Sequence, residues 1–124
     1  MPTLPRQPRT TDPRTVRSAW DAEHRAARAA RADGDRAREW HHLERAHILS
    51  QPLPLAHVRT HLAMLGHALR SRDRREANGQ MHRALLAAPG SLTGRYPLGN
   101  TGGADVSAVA PMPIPDDLRV VLGA

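Results

Sequence analysis

Apolar residues recur every three or four positions through most of the chain up to residue 89, and the recurrence breaks where Asp, Gly or Pro cluster. Val16, Ala19, Trp20, Ala26, Ala27 and Ala30 share one face of a first helix over 13–32, with Asp12 as N-cap, Pro13 at the first helical position and "DGD" as its stop. A second helix, roughly 35–49, turns Ala37, Trp40, Leu43 and Ile48 inward and ends before "QPLP". A third, over 54–71, carries a stripe of Val58, Leu62, Met64, Leu65, Ala68 and Leu69. The fourth begins at "RDRRE" and runs to 88, where Pro89 and Gly90 supply a stop signal.

Outside this stretch the pattern changes. Residues 1–11 hold three prolines without periodicity and read as a flexible arm. Residues 90–124 are dense in Gly and Pro, yet "VSAVAPMPIP" and "LRVVL" are too apolar to be left solvated. They are expected to form an extended arm packed on a helical domain of 12–89, closing with a short helix from Asp116. Within that arm "GNTGG" is read as a turn, with a backbone nest for anions as the rarer outcome.

Setting 34–52 over 72–90, an offset of 38 residues, pairs Asp35 with Asp73, Arg36 with Arg74, Leu43 with Met81, Arg45 with Arg83 and Ala46 with Ala84. Ala77, Ala84 and Pro89 fall where a tetratricopeptide-like hairpin places small residues and its terminator. The expected fold is therefore all-α: a four-helix bundle of two tetratricopeptide-like α-hairpins with an extended Gly/Pro-rich C-terminal arm.

Side-chain directions bring in the chemistry. At about 100° per residue, Glu23 falls in the middle of the first helix's apolar face, Glu44 and His47 inside that of the second, and His57 and His61 inside that of the third. His24, His42, His67 and His82 point to the solvent side, and His41 is marginal. Burying acids and imidazoles without partners costs several kcal/mol, a large share of a small domain's stability. "ERAH" sets Glu44 and His47 at i, i+3, and "HVRTH" sets His57 and His61 at i, i+4, spacings that put two ligand atoms on one helical face. Imidazole with carboxylate suits Zn, Fe, Ni, Mn or Cu and argues against Ca. The expected metal ligands are thus Glu44, His47, His57, His61 and Glu23, the last as ligand or as the acceptor that fixes a histidine tautomer. Gln80, Asp73 and Glu76 flank the fourth helix and could serve similarly, and Met64 would add soft character for Cu(I). The alternative is a buried His/Glu hydrogen-bond network without metal, in an interaction module whose ligand is a protein partner or a second copy of the chain.

Composition narrows the field. The net charge of +6 is all arginine, 18 residues with no lysine, interleaved with acids rather than gathered into a stripe beside aromatics, so nucleic acid is not the expected partner. Cysteine is absent, which removes disulfides and thiolate sites. No apolar run is long enough to span a bilayer and no secretory signal is visible, so a cytoplasmic location is expected. Neither a nucleophile–base–orienter set nor a phosphate loop appears. "ERAH" also looks like the Glu-x-x-His of ferritin-like di-iron proteins, but one such pair on short helices does not make their bundle.

With "HLERAHILSQ", "HVRTH", "RDRREANGQ" and "GNTGG…PMPIP" in this order, the chain resembles an uncharacterised bacterial family, domain-of-unknown-function family 3703, from about Trp20 to Leu118. The resemblance implies a short helical protein with no assigned activity. It also implies an association with heavy-metal resistance genes, which favours the metal reading without naming the ion.

Overall fold

The computed structural model describes residues 12–94, 96–107 and 110–124; the expected flexible arm at 1–11 lies outside them. Five helices and no strand appear among the described residues: α1 (Pro13–Ala32), α2 (Arg36–Ser50), α3 (Pro54–Arg70), α4 (Arg74–Thr93) and α5 (Asp116–Leu122). The protein is all-α, as expected.

Three aspartates start three of the helices. Asp12, Asp35 and Asp73 each accept a hydrogen bond from a first-turn backbone N–H, those of Arg14, Arg38 and Glu76, all at 3.0 Å. Such caps satisfy donors that the helix itself leaves free and contribute about 1 kcal/mol each. Asp35 and Asp73, equivalent in the 38-residue offset, thus do the same work. The breaks between the first four helices are short, and α1 packs on α2, α2 on α3 and α3 on α4.

The core is built from small and aliphatic residues. Val16, Trp20, Ala46, Ile48, Leu49, Ala56 and Leu118 form one buried cluster, so α5 closes over α1 and α2; Ala27, Leu43 and Met64 form another, with Trp40 against it. The indole N–H of Trp20 donates to the Thr60 hydroxyl at 2.8 Å, which in turn donates to the Ala56 carbonyl. That chain pins α1 to α3 without an unpaired polar atom.

Two expectations fail here. The fourth helix does not stop at 88; it runs through Pro89 to Thr93 and ends on Gly94, whose φ of +69° suits glycine. Pro89 removes one helical N–H, but Leu85, whose carbonyl loses its partner, is 79% exposed and water can replace the bond. The additional turn is also tied down from outside, because Ser91 hydrogen-bonds to the Gln51 carbonyl.

The buried arc of α3 is the second failure. Leu62 and Leu69 of the expected stripe are exposed, and so is Leu55, while Ala56, His57, Thr60, His61, Met64 and Ala68 are buried. The helix is rotated so that its histidine side, not its leucine side, faces inward. Something in the interior must therefore satisfy the imidazoles.

Candidate metal centre

His47 comes from α2, and His57 and His61 from successive turns of α3. All three are buried, and their Nε2 atoms form a triangle: 3.1 Å from His47 to His57, 3.1 Å from His47 to His61 and 3.2 Å from His57 to His61. The other nitrogen of each ring faces outward to a partner that decides its protonation.

His47 Nδ1 lies 2.6 Å from the Asn100 carbonyl, which can only accept, so Nδ1 carries the proton. His61 Nδ1 lies 2.6 Å from Gln80 Oε1. The Gln80 amide cannot be turned round, because its Nε2 donates to Glu76 Oε1 and to the Gly102 carbonyl, both at 2.8 Å. His57 Nδ1 lies 2.8 Å from the Ser91 hydroxyl oxygen, whose one hydrogen goes to the Gln51 carbonyl; Nδ1 therefore donates here too. Each ring is then a neutral imidazole with the bare lone pair of Nε2 aimed at the other two.

Burial keeps them neutral. It lowers His47 well below the ordinary histidine value, reinforced by the neighbouring His61 and His57, and it brings His57 and His61 down to about 4. Three converging lone pairs repel one another in the dry interior, whereas a cation among them would bind all three. With M–N bonds of about 2.05 Å, ligand atoms 3.1–3.2 Å apart subtend about 100° at the ion, close to a tetrahedral tripod. His47, His57 and His61 could hold a metal ion.

The loop after α4 supplies much of the surrounding frame. Gly102 has a φ of +84°, and a Cβ there would sit 2.6 Å from the His47 ring, so only glycine fits. Asn100 Oδ1 accepts from the Gly102 N–H, and its amide donates to the carbonyls of Ser107 and Ala110, so the carbonyl that holds His47 is fixed within its own loop. Gln51 pins the loop further, taking the Gly99 N–H at 3.0 Å and donating to the Pro97 carbonyl. The three histidines also line a cavity of about 200 Å³, shared with Arg83, Leu86, Tyr96 and Pro97.

Two expected ligands lie elsewhere. Glu23 meets Arg45 Nε at 2.9 Å and His42 Nδ1 at 2.7 Å across the α1–α2 interface, with Arg45 continuing to Asp117 of α5. Glu44 is half-buried against the loop, with Thr101 as a hydrogen-bond partner; burial and the charges of Asp105 and Glu76 hold its carboxyl above the usual range. Neither carboxylate belongs to the group whose ligand atoms lie within 4.8 Å of one another. The i, i+3 spacing set Glu44 on the right helix but about 60° round from His47, enough to send it to a different neighbour. His24, His42 and His67 were expected on the solvent side; all three are half-buried, His42 on Glu23, His24 tilted against Trp20 and His67 against Trp40.

Gln80 and Glu76 are legible in the sequence as polar residues flanking the fourth helix's apolar face, whereas Ser91, the Asn100 carbonyl and the approach of Gly102 to His47 are not. Ser91 lay beyond the expected end of its helix, and a carbonyl acceptor has no residue signature. Only the glycines of "GNTGG" pointed to the loop.

No curated protein and no solved structure matches the chain. A family model does, over residues 14–122, nearly the whole chain. The chain belongs to the family described as protein of unknown function (DUF3703).

Proposed function

We propose that the protein binds a divalent transition-metal ion through Nε2 of His47, His57 and His61, and that its role is metal handling: buffering, delivery or sensing. The observation that carries this reading is the set of partners facing the three Nδ1 atoms, from which the proton positions follow. All three Nδ1 atoms donate outward to the Asn100 carbonyl, Ser91 and Gln80, leaving three Nε2 lone pairs to face each other. Imidazole donors of this kind suit Zn²⁺, Ni²⁺, Cu²⁺ or Fe²⁺. The outward partners are the groups that orient histidine ligands and raise their basicity in metal sites.

A metal-free hydrogen-bond network fits less well. It would need one ring to carry its proton on Nε2, and that ring's Nδ1 lone pair would then face the Asn100 carbonyl at His47, or at His57 cost the Ser91 hydroxyl its bond to the Gln51 carbonyl. At His61 the conflict could be relieved only by turning the Gln80 amide, which would break its bonds to Glu76 and Gly102.

Elemental analysis of the purified, tag-free protein tests the proposal, with melting curves recorded after EDTA and after added Zn²⁺, Ni²⁺, Cu²⁺ or Fe²⁺. Near-stoichiometric metal and a Tm that rises with one of these ions are expected. Absence of metal, with a Tm that none of the ions moves, overturns the reading in favour of a protein-interaction module.

A further inference from the structure

The tripod uses three of the positions around an ion, and the histidines that form it also line the cavity. Everything these ligands contribute is neutral. A divalent ion held by three imidazoles keeps its two positive charges, and no carboxylate belongs to the described lining of the cavity to offset them. Instead that lining contains Arg83, a third positive charge.

Arg83 is also incompletely used. Its Nη2 donates to the Val106 carbonyl at 2.9 Å, but Nη1 is buried with no hydrogen-bond partner among the described residues. A buried, unsatisfied guanidinium N–H is costly, and such groups mark places where a ligand completes the bonding. Volume sets the scale: about 200 Å³ suits a small ligand beside the histidines.

Building on the metal reading, we infer that the fourth coordination position opens into this cavity and takes a small oxyanion, carboxylate- or phosphate-sized, bound jointly by the ion and the Arg83 guanidinium. Arginine suits this because its planar fork matches the oxygen spacing of carboxylates and phosphates. The ion supplies one anchor and Arg83 the second, so the ligand bridges α3 and α4. The protein then carries the metal together with an anion.

Cobalt(II) tests both layers separately. The metal-free full-length protein is loaded with Co²⁺, whose visible d–d bands report the ligand set, and is then titrated with phosphate, acetate and azide. Saturable changes in the bands are expected for the oxyanions. Arg83→Met should weaken phosphate and acetate by about tenfold or more, with the anion-free bands unchanged and Co²⁺ bound at least as tightly as in the wild type. Arg83→Lys, which keeps the charge and loses the fork, should fall between the two. Should Arg83→Met not fold, the Lys variant carries the comparison, and phosphate binding equal to wild type overturns the inference. Bands that no anion moves, or anion affinity indifferent to Arg83, overturn it while leaving the metal reading intact. Failure of Co²⁺ to give d–d bands at all overturns the metal reading and this inference with it.

Discussion

Two groups of buried ionisable side chains lie on the same four-helix scaffold, and they are built on opposite rules. Around α1 and α2, two acids are closed by counter-charges: Glu23 is held by Arg45 and His42, and Glu39, 4% exposed, takes two hydrogen bonds from Arg70 at 2.8 and 2.7 Å. Burial alone would raise the Glu39 carboxyl, but the Arg70 hydrogen bonds and charge hold it below its usual value. These pairs close on themselves, and they hold Glu23 on Arg45 and His42, outside the histidine group. The α2–α3 triad has bases only. Its protons go outward, its lone pairs inward, and no acid stands among them. A region that satisfies itself is architecture; one that leaves three lone pairs facing one another could hold a metal ion.

The largest effect that separates the two regions is loss of the metal itself. His57→Gln with His61→Gln removes two of three ligands, so metal content should fall to background and the metal-dependent rise in Tm should vanish. In the wild type, free metal at a thousandfold excess over its Kd adds about 4 kcal/mol, which for a domain of this size raises Tm by about 20 °C. Calorimetry with and without metal measures both. Glu39→Gln, by contrast, should lower stability and leave metal content as it was.

Acid separates the regions next. His57 and His61 titrate near 4 in the fold and near 6.5 in the unfolded chain, so between these values the unfolded chain holds more protons and the metal-free fold loses stability as pH falls. At 1.36 kcal/mol per pH unit, each contributes up to about 3 kcal/mol, fully present above pH 6.5. The Glu39 carboxyl is depressed instead, and its contribution is lost only as pH drops below about 4.5. Urea melts from pH 7 to pH 5 should thus show the metal-free protein weakening, because the unfolded chain protonates histidines that the fold keeps neutral. A flat profile there would contradict the burial of neutral imidazoles.

Gly102→Ala follows. It forces a Cβ into the His47 ring and an alanine into a left-handed backbone, at a cost of about 2–4 kcal/mol, and metal affinity should fall with stability. Gln80→Leu is gentler: it removes the acceptor that orients His61 and should weaken metal binding by about 10–100-fold, as competition with a chromophoric chelator would show. The smallest effect belongs to Glu44→Gln. It should leave metal affinity within about twofold, since Glu44 is neither in the histidine group nor the partner that orients any of its rings; a large loss would return Glu44 to the site.

How much of this the sequence carried depends on which physical signal each feature leaves. Helix starts were legible because Asp12, Asp35 and Asp73 must sit where free N–H groups need an acceptor. The triad was legible because i, i+4 spacing fixes His57 and His61 on one face, and a polar pair within an apolar arc needs a reason. The orientation of α3 was not: its leucines and its histidines occupy overlapping arcs, and hydrophobicity favours the leucines. Only the second layer of partners decides the rotation, and Ser91, Gln80 and the Asn100 carbonyl lie 19 to 53 residues away in sequence from the rings they hold. Pro89 misled for a related reason. It breaks a helix only where the lost bond cannot be replaced, and neither the solvent at Leu85 nor the Ser91 anchor is visible in the local sequence.

The central claim, three Nε2 lone pairs aimed at one point, is most directly tested by long-range ¹H–¹⁵N NMR correlation of the imidazole rings. In the metal-free protein at neutral pH, His47, His57 and His61 should all appear as Nδ1–H tautomers with unprotonated Nε2, and one equivalent of Zn²⁺ should shift all three Nε2 resonances together. A ring protonated at Nε2, or Nε2 signals that zinc leaves in place, would contradict it.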